Sequence, residues 1–150
     1  VSAAGVLFPR LKIPQGGSTA YAESLLRDHH GEWEYNTEWK KSESPAVTAG
    51  WVRAIDRAQK KLRKSDHLIR VPILLMYSDN SVTSSTWDIA HNRGDAVLDV
   101  KDIEKYGILL GNDVTRMQVV GGLHDLFLSR PAVRTPLYER VLNWLNTHMQ

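Results

Sequence analysis

The sequence predicts an α/β fold in which parallel strands at about 71–77 and 114–120 are flanked by helices and preceded by a mostly helical segment. Three observations carry this reading. Residues 68–79, "LIRVPILLMYSD", form a short, nearly continuous apolar run with β-branched members and a proline near its start. That is the pattern of a strand buried on both faces of a parallel sheet. Residues 114–120, "VTRMQVV", form a second strand-like run, stopped by Gly121 and Gly122. Between them, residues 100–111, "VKDIEKYGILLG", read as a helix with Gly111 as its stop. A strand, helix, strand order sets the two strands parallel.

The remaining elements follow in chain order. Residues 1–18, "VSAAGVLFPRLKIPQGGS", read as the end of a helix running into a loop and not as a strand, because two prolines and a Gly-Gly-Ser interrupt them. Residues 18–30, "STAYAESLLRDHH", read as a helix with Ser18 as N-cap, continuing through Ala20, Tyr21, Leu25 and Leu26 and stopped by Gly31. In residues 31–45, aromatic and charged residues alternate without helical period, and Trp33, Tyr35 and Trp39 are expected to pin a surface segment against the body. From Pro45 to Lys64, Val47, Trp51, Ile55, Ala58 and Leu62 recur every three or four residues, with Arg53, Arg57, Lys60, Lys61, Arg63 and Lys64 mostly elsewhere on the wheel. This predicts an amphipathic helix with a solvated basic face. At the C-terminal end, Leu137, Val141, Trp144, Leu145 and Met149 form one stripe, the mark of a closing helix that covers the sheet. No internal repeat or low-complexity stretch occurs.

Composition narrows the function classes. Nineteen Lys and Arg against 17 Asp and Glu leave a net charge of +2, too small an excess to steer a nucleic acid. Without cysteine there is no disulfide framework, thiolate metal site or thiol nucleophile, which fits a reducing, cytoplasmic setting. No apolar run approaches the ~20 residues of a membrane helix, so no transmembrane segment is expected. His29 and His30 with Glu32 and Glu34 lack the H-E-x-x-H spacing of a zinc site and read as surface residues at a helix end; no metal and no cofactor is expected. The chain opens on Val1 without an initiator methionine, which raises the expectation that residues precede it.

Chemistry is expected where the two strands end. Adjacent parallel strands finish on the same side of a sheet, where open α/β folds gather their reactive groups. The loop after the first strand carries Asp79, Asp95 and Asp99, and the loop after the second carries His124. A carboxylate beside an imidazole makes two-thirds of a nucleophile-activating relay. The carboxylate fixes the ring tautomer, and the other ring nitrogen takes a proton from a hydroxyl.

"VPILLMYSD", "GDAVLDV", and "VVGGLHDLFLS" ahead of a closing helix with "VLNWL" resemble the C-terminal half of an α/β-hydrolase, in the branch of lysophospholipase-like and monoacylglycerol-lipase-like serine hydrolases. The likeness runs from about residue 68 to the end. It extends more loosely back to "YAESLLRDHHGEWEYNTEWK", which is similar to the lid-to-core segment of these proteins. The resemblance implies a lid-like and connecting segment over 1–66 and a partial hydrolase core over 67–150, with chain order Ser, acid, His. Carried over, Asp95 is the acid and His124 the base. Asp79 is a rival, since 95 − 77 = 18 residues separate Asp95 from Tyr77, more than the family's usual gap. Asp99 reads as a helix cap.

The family's G-x-S-x-G nucleophile motif is absent. Residues 16–20, "GGSTA", come nearest, but the short, basic, proline-broken stretch before them is no nucleophile strand, and Ser18 reads as a cap. The resemblance therefore implies an incomplete serine hydrolase acting on a small-molecule carboxylic ester, such as a lysophospholipid or acylglycerol. Its acid and base lie in this chain and its nucleophile does not. The alternative is a non-catalytic binding or assembly module built on half a hydrolase fold. In either case an uncovered strand edge predicts a homodimer or swapped pairing.

Overall fold

A computed structural model describes residues 2–14, 18–43, 45–64 and 69–148. Among these residues the elements run α1 (Ser2–Leu7), β1 (Lys12–Ile13), α2 (Ala20–Leu25), β2 (Val47–Thr48), α3 (Ala49–Arg63), β3 (Ile73–Ser78), α4 (Val100–Gly107), β4 (Val114–Val119) and α5 (Pro131–His148). Short 3-10 turns lie at Ile89–Asn92 and Leu126–Leu128. The fold is mixed α/β, with two two-stranded sheets, of which β3–β4 is parallel. The chain divides into two compact units, Val1–Ser18 with Glu43–His67, and Thr19–Ser42 with Leu68–Gln150. The sequence put residues 19–42 with the N-terminal segment; the structure groups them with the parallel sheet.

In the first unit, β1 and β2 pair antiparallel, Lys12 opposite Thr48 and Ile13 opposite Val47. Residues 12–13, expected as loop, thus become a strand. The same pairing takes Val47 and Thr48 out of the expected helix. α3 instead starts at Ala49, where the Thr48 hydroxyl accepts from the amide of Trp51 at 3.2 Å. α1 lies close on α3, since a Cβ at Gly5 would meet the Ala49 carbonyl at 2.7 Å. That contact covers the Ala49 side of the helix. The apolar stripe read from the wheel is exposed, Trp51 at 55% and Leu62 at 70%.

In the second unit the parallel register runs from Ile73 opposite Val114 to Ser78 opposite Val119, with α4 in the crossover. Leu74 and Met76 of β3 and Met117 and Val119 of β4 share one side of the sheet. They pack there with Leu126, Val133, Leu137 and Val141, so α5 covers that face. Leu75 lies on the other side against Gly107 of α4, where a Cβ would meet its side chain at 2.5 Å. Residues 73–76 are half-buried, not fully buried as expected, because β3 has only one strand neighbour among the described residues. The α5 stripe is as read, with Leu137 fully buried and the Trp144 indole donating to Thr115 Oγ1 at 2.9 Å; Met149 lies outside the described residues.

Four local expectations change. α4 ends at Gly107, and Gly111 serves a close approach instead: it bridges Ile69, whose carbonyl a Cβ there would meet at 2.6 Å. α2 ends at Leu25, because Leu26 is extended and the chain folds back so that the Trp33 amide donates to the Leu25 carbonyl at 2.8 Å. Its N-cap is Thr19 rather than Ser18, and the Thr19 hydroxyl donates to Glu23 Oε1 instead of capping a backbone amide. Of the three aromatics expected to pin this segment, Trp33 does so, its indole donating to the Leu128 carbonyl at 2.7 Å. Trp39 does not; it sits on an Asn36 turn and is 89% exposed.

Candidate active site

The end of β3 builds the turn that presents His124. Gly121 has φ +69°, a left-handed conformation that glycine adopts without strain, and its amide donates to Asp79 Oδ1 at 2.8 Å. The buried Ser78 hydroxyl donates to the Gly122 carbonyl at 2.7 Å. The amide of Leu123 donates to the buried Ser129 hydroxyl at 2.9 Å. Asp79, Ser78 and Ser129 thus fix the backbone on both sides of the turn. Asp79, the rival acid, is committed to the turn backbone through Oδ1.

Asp95 reaches His124 because its long loop doubles back. The Asp95 amide donates to the Asn80 carbonyl at 2.9 Å and the Val82 amide to the Asp95 carbonyl at 2.7 Å, a parallel bridge that returns residue 95 to the end of β3. Asp95 is 3% exposed. Its Oδ1 accepts from the amides of Val97 and Leu98, each at 2.8 Å, and its Oδ2 lies 3.0 Å from His124 Nδ1. Since the carboxylate oxygen accepts, Nδ1 carries the proton and Nε2 is the ring's free lone pair. Asp99 caps α4, accepting from the Lys101 amide at 2.9 Å.

The electrostatics follow from these contacts. Burial pushes the Asp95 carboxyl up, but the bonds from His124, Leu98 and Val97 outweigh it and hold it below the usual carboxylate range. The bond to Asp95 raises His124 above an ordinary histidine, against burial, which lowers it; the charge of Asp125 raises it further and that of Lys40 lowers it.

Sequence reasoning missed a second cluster beside this pair. The Tyr21 hydroxyl donates to Asp125 Oδ2 at 2.7 Å and accepts from the Asp125 amide at 3.1 Å. The Lys40 ammonium meets the same Oδ2 at 2.8 Å. The Tyr21 ring meets the His124 ring edge-on, with centroids 5.9 Å apart and planes at 84°. No local signal announces contacts 85 and 104 residues apart in sequence. His91 was also missed. It is fully buried, its Nδ1 accepting from the Asp88 amide and its Nε2 facing the Ser84 carbonyl, each at 3.1 Å, so it is a structural histidine. The Asp88 to His91 spacing, that of a capping box, was the available signal.

A cleft of about 640 Å³ opens beside His124, with Lys40 and Asp125 as polar lining and Leu74, Met76 and Phe127 among its apolar lining. Ser18 is exposed, lies just before α2 and has no left-handed backbone; Gly16 and Gly17 lie outside the described residues. It lacks the strained backbone conformation of a nucleophile elbow. The His30 ring stacks on Trp87 with centroids 3.4 Å apart, which ties it to the loop after β3. Among the described residues no group of three or more His, Asp or Glu side chains is placed to hold a metal, and no helix is long and apolar enough to cross a membrane.

No family model, no curated protein and no solved structure matches this chain. The site's capabilities therefore follow from its geometry. A buried, amide-gripped carboxylate orients an imidazole whose second nitrogen can take a proton, on a residue that lines an open, largely apolar cleft.

Proposed function

We propose that this chain is the acid-and-base portion of an α/β-hydrolase-type serine hydrolase. Asp95 orients His124, and His124 accepts the proton of a serine supplied by residues outside this chain. The single observation that carries the reading is the 3.0 Å bond from Nδ1 of His124 to an Asp95 carboxylate already held by two backbone amides. A general base of this kind must keep one tautomer through proton transfer, and a fixed acceptor at Nδ1 does that. The apolar cleft suits the acyl part of a carboxylic ester, with lysophospholipids or acylglycerols as the substrate class. The β3 edge away from β4 is where further strands of such a core would join.

That same edge favours a second reading, a non-catalytic assembly module which uses β3 to pair with another chain. A fluorophosphonate probe separates the two when applied to this chain and to a longer form of the same protein. Labelling of the longer form that is lost in His124→Ala supports the hydrolase. No labelling of either form, with pairing through β3 intact, supports the module.

A further inference from the structure

We infer that Tyr21, Asp125 and Lys40 form a latch that holds the His124 ring against Asp95, so that Tyr21 and Lys40 are positioning residues of the same site. The inference rests on the acid-and-base reading of Asp95 and His124 and adds to it the part that keeps the ring in place.

Asp95 grips only one atom of the imidazole, and 29% of the His124 side chain remains exposed. A ring held at one nitrogen can still tilt about that bond. The Tyr21 ring, edge-on at 5.9 Å, supplies a second surface. Tyr21 in turn is fixed by two bonds to the residue next to His124, one to the side chain and one to the backbone of Asp125. Moving Asp125 would break both, and moving Tyr21 would free the backbone beside the base.

Lys40 completes the arrangement in two ways. Its ammonium pairs with Asp125 Oδ2, and it also sits 5.7 Å from the Tyr21 ring centroid and 5.8 Å from that of Tyr35. It therefore offsets the negative charge of the carboxylate nearest in sequence to the base, leaving Asp95 as the carboxylate bonded to His124. Segment 19–42 is fastened to this loop at further points. The Trp33 indole donates to the Leu128 carbonyl, and Arg134, 2.9 Å from Glu32, lies over the Trp33 ring. These last contacts do not touch His124, so they provide a control for purely structural tethering.

The charged and titratable groups around the ring are Asp95, Asp125, Lys40 and Tyr21, and substitution at the last two should move it in opposite directions. Tyr21→Phe keeps the ring but removes both bonds to Asp125. The loosened base should bond Asp95 less well, so its titration midpoint falls. Lys40→Gln removes a positive charge near the ring and leaves the Asp125 charge less opposed, so the midpoint rises.

The experiment is an NMR pH titration of the His124 ring in the whole chain for the wild type, Tyr21→Phe, Lys40→Gln, Lys40→Arg, Trp33→Phe and Asp95→Asn. Shifts of opposite sign for the first two variants, recovery toward wild type in Lys40→Arg, and a Trp33→Phe variant that melts lower without moving His124 establish the latch. If Tyr21→Phe and Lys40→Gln leave the midpoint where it was while Asp95→Asn shifts it, the latch is wrong and the acid-and-base reading stands. If Asp95→Asn does not shift it either, the acid-and-base reading fails as well. Should Tyr21→Phe not fold, NMR relaxation of the His124 ring in Lys40→Gln decides the matter: a ring more mobile than in the wild type supports the latch, and one equally ordered overturns it.

Discussion

Asp95 and His124, 29 residues apart, meet at 3.0 Å because two unrelated loops are each tied back to the end of β3. The loop of Asp95 returns through the bridge at Ser81, and that of His124 is held by Asp79 and Ser78 at the Gly121–Gly122 turn. The end of one strand thus sets the positions of both residues. Damage to the turn should therefore reach the site without touching either residue.

Gly121→Ala tests this dependence. An alanine at φ +69° costs roughly 1 kcal/mol or more in left-handed strain, which corresponds to a melting temperature about 2–4 °C lower for a chain of this size. Thermal denaturation should show that loss. An unchanged melting temperature would mean that the turn is not held as described.

On the proposed function, this chain by itself should hydrolyse p-nitrophenyl esters only at a trace rate, since a relay works as a unit and its acid and base do little without a nucleophile. Ser18→Ala should leave that rate unchanged. An enzymatic rate abolished by both Ser18→Ala and His124→Ala would make Ser18 the nucleophile after all.

The β3 edge away from β4 carries backbone groups that another strand can pair, so the chain should dimerise as its concentration rises. Light scattering that reports a clean monomer at high concentration would contradict this.

The pair also predicts a pH window for stability. The folded value of His124 is raised, so its contribution is complete below the unfolded value of about 6.5 and is lost as pH rises through the folded one. The folded value of Asp95 is depressed, so its contribution is complete above about 4 and is lost as pH falls through the folded one. Both are complete between about pH 4 and 6.5. Urea midpoints should be higher at pH 5.5 than at pH 8.5, and His124→Ala should shrink that difference. An equal difference in the variant would place its origin elsewhere.

The parallel strands were legible because their apolar, β-branched runs are local and continuous, and the α5 stripe because 3.6-residue periodicity survives in sequence. Asp95 and His124 became candidates through strand-end logic joined to a family resemblance. Spacing alone left Asp79 and Asp95 both open, because only the Ser81 bridge folds the 18-residue gap shut. Val47 and Thr48 were misread as helix since their strand partner, β1, lies 34 to 36 residues earlier and is only two residues long. Tyr21 and Lys40 had no signal at all. A tyrosine or lysine that bonds a residue 85 or more positions away looks, in sequence, like any other.

The measurement that bears most directly on the pairing of acid and base is the titration midpoint of His124 in the wild type, in Asp95→Asn and in Asp79→Asn. Burial opposes the charged imidazole and the Asp95 bond overcomes it, so the wild-type midpoint should lie above about 6.5. Asp95→Asn should bring it to that value or below, while Asp79→Asn, whose side-chain oxygen can still accept from the Gly121 amide, should leave it raised. A midpoint insensitive to Asp95→Asn, or one that falls only in Asp79→Asn, would contradict the assignment of Asp95 as the acid that orients this base.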